Sequence, residues 1–80
     1  MNVIAIDYDD TANVNIAKVN HLFENPNNFI VIYTARSESL RLRTVAELHE
    51  LRIKYHALVM EKLRADVYID NKNAGGLRWK

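Results

Sequence analysis

A short apolar run near the start of the chain ends directly in a cluster of acidic residues. The run VIAI at residues 3–6 is followed by DYDDT at residues 7–11. An uninterrupted apolar run without helical periodicity predicts a buried strand of a parallel sheet. In open α/β sheets, ligands bind at the carboxyl ends of such strands. Side chains two residues apart on a strand point to the same side, so we expect Asp7 and Asp9 to face one small volume.

The acidic cluster has more than one chemical interpretation. Acid-rich turns are common after strands because Asp stabilises turns and caps helices, so a purely structural role stays open at this point. A calcium-binding EF-hand loop starting at Asp7 is excluded, since it would need Gly in place of Ala12 and Glu in place of Lys18. Two carboxylates held close together repel each other unless a cation lies between them or one of them is protonated.

The rest of the chain alternates apolar runs with helical patterns. The pattern predicts strands at residues 3–8, 29–33, 56–60 and 67–69, and helices at about residues 15–23 and from Ser37 or Ser39 to about residue 54. Alternating strands and helices with short connections are typical of the α/β class. The sequence therefore predicts a minimal doubly wound, Rossmann-like parallel sheet of about four strands.

Length and composition restrict the classes of function. The chain has 80 residues, a net charge of +1 and no cysteine. This predicts a single domain at residues 1–80, of a size that buries only about 60% of its unfolded surface. The weak charge makes nucleic acid an unlikely partner and gives no attraction to an anionic membrane. The lack of cysteine and of long apolar runs suits a cytoplasmic protein outside the membrane.

The predicted strand ends bring several polar groups to one edge of the sheet. Asp7, Asp9, Thr34 and Asp70 lie at the ends of three of the predicted strands, and Lys62 follows the remaining one. Carboxylate oxygens around an open position suit Mg²⁺, while a hydroxyl and a lysine suit the oxygens of a phosphate group. A carboxylate can also attack phosphorus in phosphoryl transfer. The edge therefore indicates magnesium-assisted phosphate chemistry.

Four segments in order resemble the motifs of one enzyme superfamily. DYDDT at residues 7–11, IYTAR at residues 32–36, Lys62, and ADVYID at residues 65–70 resemble the four ordered motifs of the haloacid dehalogenase-like hydrolases. The likeness covers about residues 3–79 and is closest to small members of the family. It implies a core domain without a cap domain, a strand order of 3-2-1-4, and a Mg²⁺-dependent phosphatase that forms an aspartyl-phosphate intermediate.

The resemblance also implies roles for the acidic residues and the lysine. Asp7 would be the nucleophile and Asp9 the general acid and base, with Lys62 neutralising the nucleophile and the phosphate. Asp7, the backbone carbonyl of Asp9, and Asp70 would hold Mg²⁺. Asn71 stands where the family usually has a second acid, and we expect it to contribute to the metal site as a weaker ligand.

Three residues at the end of the second predicted strand are expected to bind the substrate. The resemblance implies that the Thr34 hydroxyl and the Ala35 amide bind phosphate oxygens. Arg36 follows them and is a candidate to contact a second anionic group of the substrate. The partner is therefore expected to be a phosphorylated molecule, and its class stays open.

The long predicted helix suggests an assembly. Its apolar arc extends beyond what one sheet face covers, and the surplus indicates a contact between subunits, hence a homo-oligomer. The residues of this arc are Leu40, Thr44, Leu48 and Leu51. His49 is predicted to be packed among apolar neighbours on the same helix and is given no catalytic role.

Two functions remain open from the sequence. The first is the phosphatase that the four motifs imply. The alternative is a non-catalytic binding module that keeps the fold and works through an interface. Turnover of a generic phosphate ester in the presence of Mg²⁺ would distinguish them.

Overall fold

The computed structural model describes residues 1–61 and the backbone of a strand at residues 67–69. Its elements are β1 (Asn2–Asp7), a 3₁₀ turn (Ala12–Val14), α1 (Ile16–Glu24), β2 (Asn28–Thr34), a 3₁₀ turn (Glu38–Leu40), α2 (Arg41–Glu50), β3 (Ala57–Met60) and β4 (Val67–Ile69). No helix in this described part of the chain is long and apolar enough to cross a bilayer.

The strands form a parallel sheet. Among the described residues its order is β3-β2-β1-β4. β1 pairs with β2 in a register that runs from Asn2 opposite Asn28 to Asp7 opposite Tyr33, and β2 pairs with β3 as far as Thr34 opposite Met60. The predicted α/β class with a parallel sheet and two helices is confirmed.

One face of the two central strands forms the core with both helices. Ile4, Ile6, Ile30 and Ile32 belong to a buried cluster that also contains one residue from each helix, Val19 of α1 and Leu48 of α2. Because even-numbered residues of each strand share a face, both helices pack on that same face of the sheet. The opposite face is also buried at Ala5 and Val31. The continuous apolar runs thus behave as expected for strands buried on both sides.

The prediction that the second helix extends to about residue 54 is wrong, because α2 ends at Glu50. The Ile53 amide donates to the Leu48 carbonyl at 3.1 Å and the Arg52 amide donates to the His49 carbonyl at 3.1 Å. Arg52 has φ of 59°, the left-handed conformation of a helix C-cap. This is a Schellman motif, which terminates a helix by satisfying its last carbonyls.

The start of this helix also differs from the prediction. The Ser37 hydroxyl accepts a hydrogen bond from the Ser39 amide at 3.2 Å. It therefore caps the 3₁₀ turn at Glu38–Leu40, and the α-helix proper begins at Arg41. A serine side chain can satisfy a short turn as readily as a full helix, so the capping signal alone does not set the helix boundary.

The exposed apolar residues of α2 are not the ones that the sequence predicted to be exposed. Thr44 and Leu48 are fully buried in the protein's own core, and Leu51 packs against it. Leu42 is 86% exposed and His49 is exposed, so the prediction of a packed His49 is wrong. The physical reason is that α2 turns its Thr44 side, not its Leu42 side, towards the sheet.

Candidate functional site

The carboxyl edge of the sheet carries the predicted site residues that the structure describes. Asp7 is the last residue of β1 and is partly buried, and Thr34 is the last residue of β2 and is fully buried. Ala35 follows directly and is exposed. The amide of Glu61, the last described residue before Lys62 in the sequence, donates to the Thr34 carbonyl. Lys62, Asp70 and Asn71 lie outside the described residues.

The chain turns sharply after β1. The Tyr8 amide donates to the Tyr33 carbonyl at 2.9 Å, and the Tyr8 carbonyl accepts from the amides of Thr11 at 3.3 Å and Asn13 at 3.2 Å. Asp10 has φ of 61°, a left-handed conformation that Asp and Asn tolerate better than most residues. Asp9 therefore lies in a turn and not on the strand, so strand alternation does not determine the direction of its side chain.

Asp9 is held by two neighbours at the end of β2. Its Oδ1 accepts from Arg36 Nη2 at 2.8 Å, and its Oδ2 accepts from the Thr34 hydroxyl at 3.1 Å. The same hydroxyl accepts from the Arg36 amide at 3.1 Å. The Asp9 side chain is 47% exposed. Asp9, Thr34 and Arg36, all predicted from the sequence, are thus brought into one hydrogen-bonded cluster that still faces solvent.

The Arg36 guanidinium joins this cluster to α2. Its Nη1 donates to Glu47 Oε1 at 3.0 Å and to the Thr44 hydroxyl at 3.2 Å. Its central carbon lies 5.1 Å from the centre of the Tyr8 ring, within range of a cation–π contact. The hydrogen bond to Asp9, followed by that to Glu47, raises the Arg36 pKa above its usual value. In this structure the donors of Arg36 are therefore directed at carboxylates of its own chain.

The buried Tyr8 and the partly exposed Glu47 form the other end of the network. Tyr8 is 2% exposed, and its hydroxyl donates to Glu47 Oε1 at 3.0 Å. Burial, and next the bond to the Glu47 carboxylate, raises the pKa of Tyr8 to about 12. The pKa of Glu47 is lowered, first by the Tyr8 hydroxyl and further by the Arg36 guanidinium. Both residues contact the Arg36 guanidinium and hold it in place.

Sequence reasoning did not identify Tyr8, Thr44 or Glu47 as part of this cluster. Tyr8 lies inside the first motif, but its apolar ring is explained by core packing alone. Glu47 is eleven residues beyond Arg36 on a helix with other charged residues, and no local spacing rule connects the two. Only the packing of α2 beside the end of β2 brings them together.

The oxygen donors of this edge suit a hard cation. Among the described residues there is no group of three acidic, histidine or cysteine side chains that could hold a metal ion. Asp7 and the turn that follows it do supply oxygens. Two buried atoms there, the Thr11 hydroxyl and Asn13 Oδ1, have no hydrogen-bond partner within the described part of the chain. Buried polar atoms of this kind usually receive a water or an ion. The donor set is therefore compatible with Mg²⁺, which prefers oxygen ligands.

Comparisons with protein-family models, with curated proteins and with solved structures find no match for this chain.

Proposed function

We propose that this protein is a cytoplasmic, Mg²⁺-dependent phosphatase of the haloacid dehalogenase-like type, hydrolysing a phosphomonoester through an aspartyl-phosphate on Asp7. The observation that carries the proposal is the cluster of Asp9, Thr34 and Arg36 at the carboxyl edge of the sheet. The cluster puts a carboxylate, a hydroxyl and a guanidinium at the strand end next to Asp7, and these groups are suited to phosphoryl transfer. The strand order β3-β2-β1-β4 supports the same proposal.

The first step transfers the phosphoryl group to Asp7. A carboxylate oxygen of Asp7 attacks phosphorus, and the bond between phosphorus and the ester oxygen breaks. Asp9 gives its proton to the departing oxygen, which leaves as an alcohol. Lys62 balances negative charge on the nucleophile and the phosphate, and the Thr34 hydroxyl and Ala35 amide bind phosphate oxygens.

The second step releases inorganic phosphate. Asp9, now without its proton, accepts a proton from a water molecule as the water oxygen attacks phosphorus. The bond between phosphorus and the Asp7 oxygen breaks. Asp7 is again a carboxylate, and Asp9 releases its proton to solvent as Arg36 pairs with it again. The chain thus returns to its starting state and one ester has been hydrolysed.

Arg36 makes the proton transfer depend on substrate. Arg36 Nη2 donates to Asp9 Oδ1 at 2.8 Å. A proton on that oxygen would face the N–H group of Arg36, so Asp9 is not protonated there while this hydrogen bond is formed. A bound phosphate offers Arg36 a competing anion with the geometry that a guanidinium prefers. We infer that Arg36 turns from Asp9 to the substrate, and that the freed Asp9 carboxylate then takes up a proton from solvent, which it gives to the departing oxygen.

Mg²⁺ would be held by Asp7, the backbone carbonyl of Asp9 and Asp70, with Asn71 as a neutral ligand or water contact. When bound, it supplies positive charge to the oxygens of the transferring phosphoryl group.

The second candidate function is a non-catalytic binding module. The observation in its favour is that both oxygens of Asp9 already accept hydrogen bonds, from Arg36 and from Thr34. A carboxylate with this pattern can serve as a structural link between the turn after β1 and the end of β2. The two functions differ in whether Arg36 leaves Asp9.

Hydrolysis of an aryl phosphate, with and without Mg²⁺, tests the proposal. Asp7→Asn should abolish turnover because an amide cannot attack phosphorus, and Asp9→Asn should lower kcat by at least about a hundredfold through loss of proton transfer. The matched control is Asp10→Asn, since Asp10 is exposed and its left-handed φ of 61° accepts Asn. This control should keep wild-type activity.

Two results would contradict the proposal. Retention of most activity by Asp7→Asn would show that Asp7 is not the nucleophile. A wild-type protein that hydrolyses no member of a broad panel of phosphate esters at any Mg²⁺ concentration would favour the binding module.

A further inference from the structure

The solvent side of α2 carries a stripe of residues that the rest of the described chain leaves exposed. Leu42 is 86% exposed and Val45 is 39% exposed, and Ala46 and His49 are also exposed. Their spacing of three, four and seven residues places them on one face of a helix. We call these four residues the α2 stripe. It lies opposite the buried side of the helix, so the protein's own core does not use it.

Charged residues border the α2 stripe on one side. Arg43 and Glu50 are seven residues apart, which puts them about 10 Å apart along the same side of the helix. The Arg43 side chain is 75% exposed and its contact with Glu47 is long, at 3.5 Å. Glu50 is exposed. The stripe therefore has a basic group at one end of its border and an acidic group at the other.

The charges on this border complement those on a second copy of the helix that runs in the opposite direction. Two copies packed stripe to stripe in antiparallel directions bring the same border of each helix together, so that Arg43 of each faces Glu50 of the other. A parallel arrangement would place opposite borders together and leave both charges without this partner. Antiparallel packing also aligns the two helix dipoles favourably.

We propose that the α2 stripe is the contact surface for a second copy of this chain, in a two-fold symmetric dimer with α2 packed antiparallel against α2. Ala46 lies near the crossing point, where its small side chain allows the helices to approach closely. Leu42 and Val45 supply the apolar contact, and two symmetry-related Arg43–Glu50 pairs fix the direction. A single helix face is smaller than a standard interface of about 1,600 Å², so the dissociation constant is expected in the micromolar range.

Sedimentation velocity at protein concentrations from about 5 to 500 μM tests the surface, because this range spans a micromolar equilibrium. Leu42→Ser should raise the dissociation constant at least tenfold without unfolding the chain, since Leu42 is 86% exposed. Val14→Ser is the matched control, because Val14 is 66% exposed but lies outside α2. It should change the dissociation constant by less than twofold. A monomeric wild type over this range, or a dimer that Leu42→Ser leaves intact, overturns the proposal.

Charge reversal tests the antiparallel direction. Arg43→Glu and Glu50→Arg, each alone, should weaken the dimer severalfold because like charges then face each other at both ends. An equimolar mixture of the two single variants should form a heterodimer, and the double variant should recover dimerisation to within about threefold of wild type. Single variants that dimerise as well as wild type, or a double variant that does not recover, would refute antiparallel pairing.

Discussion

Replacing Arg36 with Met should destabilise the protein by about 2.5–3.5 kcal/mol. The substitution removes two ion pairs, to Asp9 at 2.8 Å and to Glu47 at 3.0 Å, in which the arginine side chain is only 24% exposed. Because the acidic partners are partly exposed and therefore screened, each pair contributes about 0.5–1 kcal/mol. The hydrogen bond to the Thr44 hydroxyl adds about 1 kcal/mol, and the contact with the Tyr8 ring about 0.5 kcal/mol. Met keeps the apolar stem, so packing is largely retained.

Urea unfolding followed by circular dichroism at 222 nm measures this loss. With a slope of about 1 kcal/mol per molar urea for a domain of this size, the midpoint should fall by about 3 M. Arg43→Met is the control, since Arg43 is 75% exposed and has one contact of 3.5 Å, worth at most about 0.5 kcal/mol. Both should be measured well below micromolar protein concentration, where a dimer with a micromolar dissociation constant does not form. An Arg36→Met variant as stable as Arg43→Met would refute the view that Arg36 connects the turn to α2.

Two other predictions concern pH and metal. The Tyr8 pKa is about 12 in the folded chain and 10.0 ordinarily, so the unfolded chain loses its proton first. The free energy of unfolding should therefore fall by about 2 kcal/mol between pH 10 and pH 12. Urea titrations across this range should show a smaller decrease for Tyr8→Phe, and equal decreases would contradict the pKa. Asn71→Asp should lower the Mg²⁺ concentration for half-maximal activity about tenfold, because a carboxylate attracts the ion more strongly than an amide does. An unchanged Mg²⁺ titration would exclude Asn71 from the metal site.

The sequence predicts the sheet well because its signal is local. Each described strand is a continuous apolar run. Parallel pairing places the ends of β1 and β2 at the same edge of the sheet, and this brings Asp7 near Thr34. The boundary of α2 was not predictable in the same way. It depends on Arg52 adopting a left-handed φ of 59°, and an arginine carries none of the signal that a glycine would give at that position.

The network around Arg36 could not be predicted because it depends on tertiary packing. The Tyr8 hydroxyl and its acceptor on Glu47 are 39 residues apart in the chain, and no periodic pattern connects them. Their contact requires that α2 pack on the same face of the sheet as Tyr8. The sequence therefore predicted that Asp7 and Thr34 lie at the edge, but not that Arg36 would donate to carboxylates of its own chain.

Thr34 provides a test of whether this network responds to phosphate. Its hydroxyl has one proton, which is donated to Asp9 Oδ2 at 3.1 Å, so binding a phosphate oxygen requires that the proton be redirected away from Asp9. The same anion that attracts Arg36 would then release Asp9 from both of its donors at once. Thr34→Val keeps the shape but removes the hydroxyl, and should destabilise the fold by about 1–2 kcal/mol and raise the inhibition constant of inorganic phosphate at least tenfold. Thr34→Ser keeps the hydroxyl and should bind phosphate to within about threefold of wild type. If Thr34→Val lost stability but bound phosphate as well as wild type, the hydroxyl would only link Asp9 to β2, and phosphate would have to be bound by other groups.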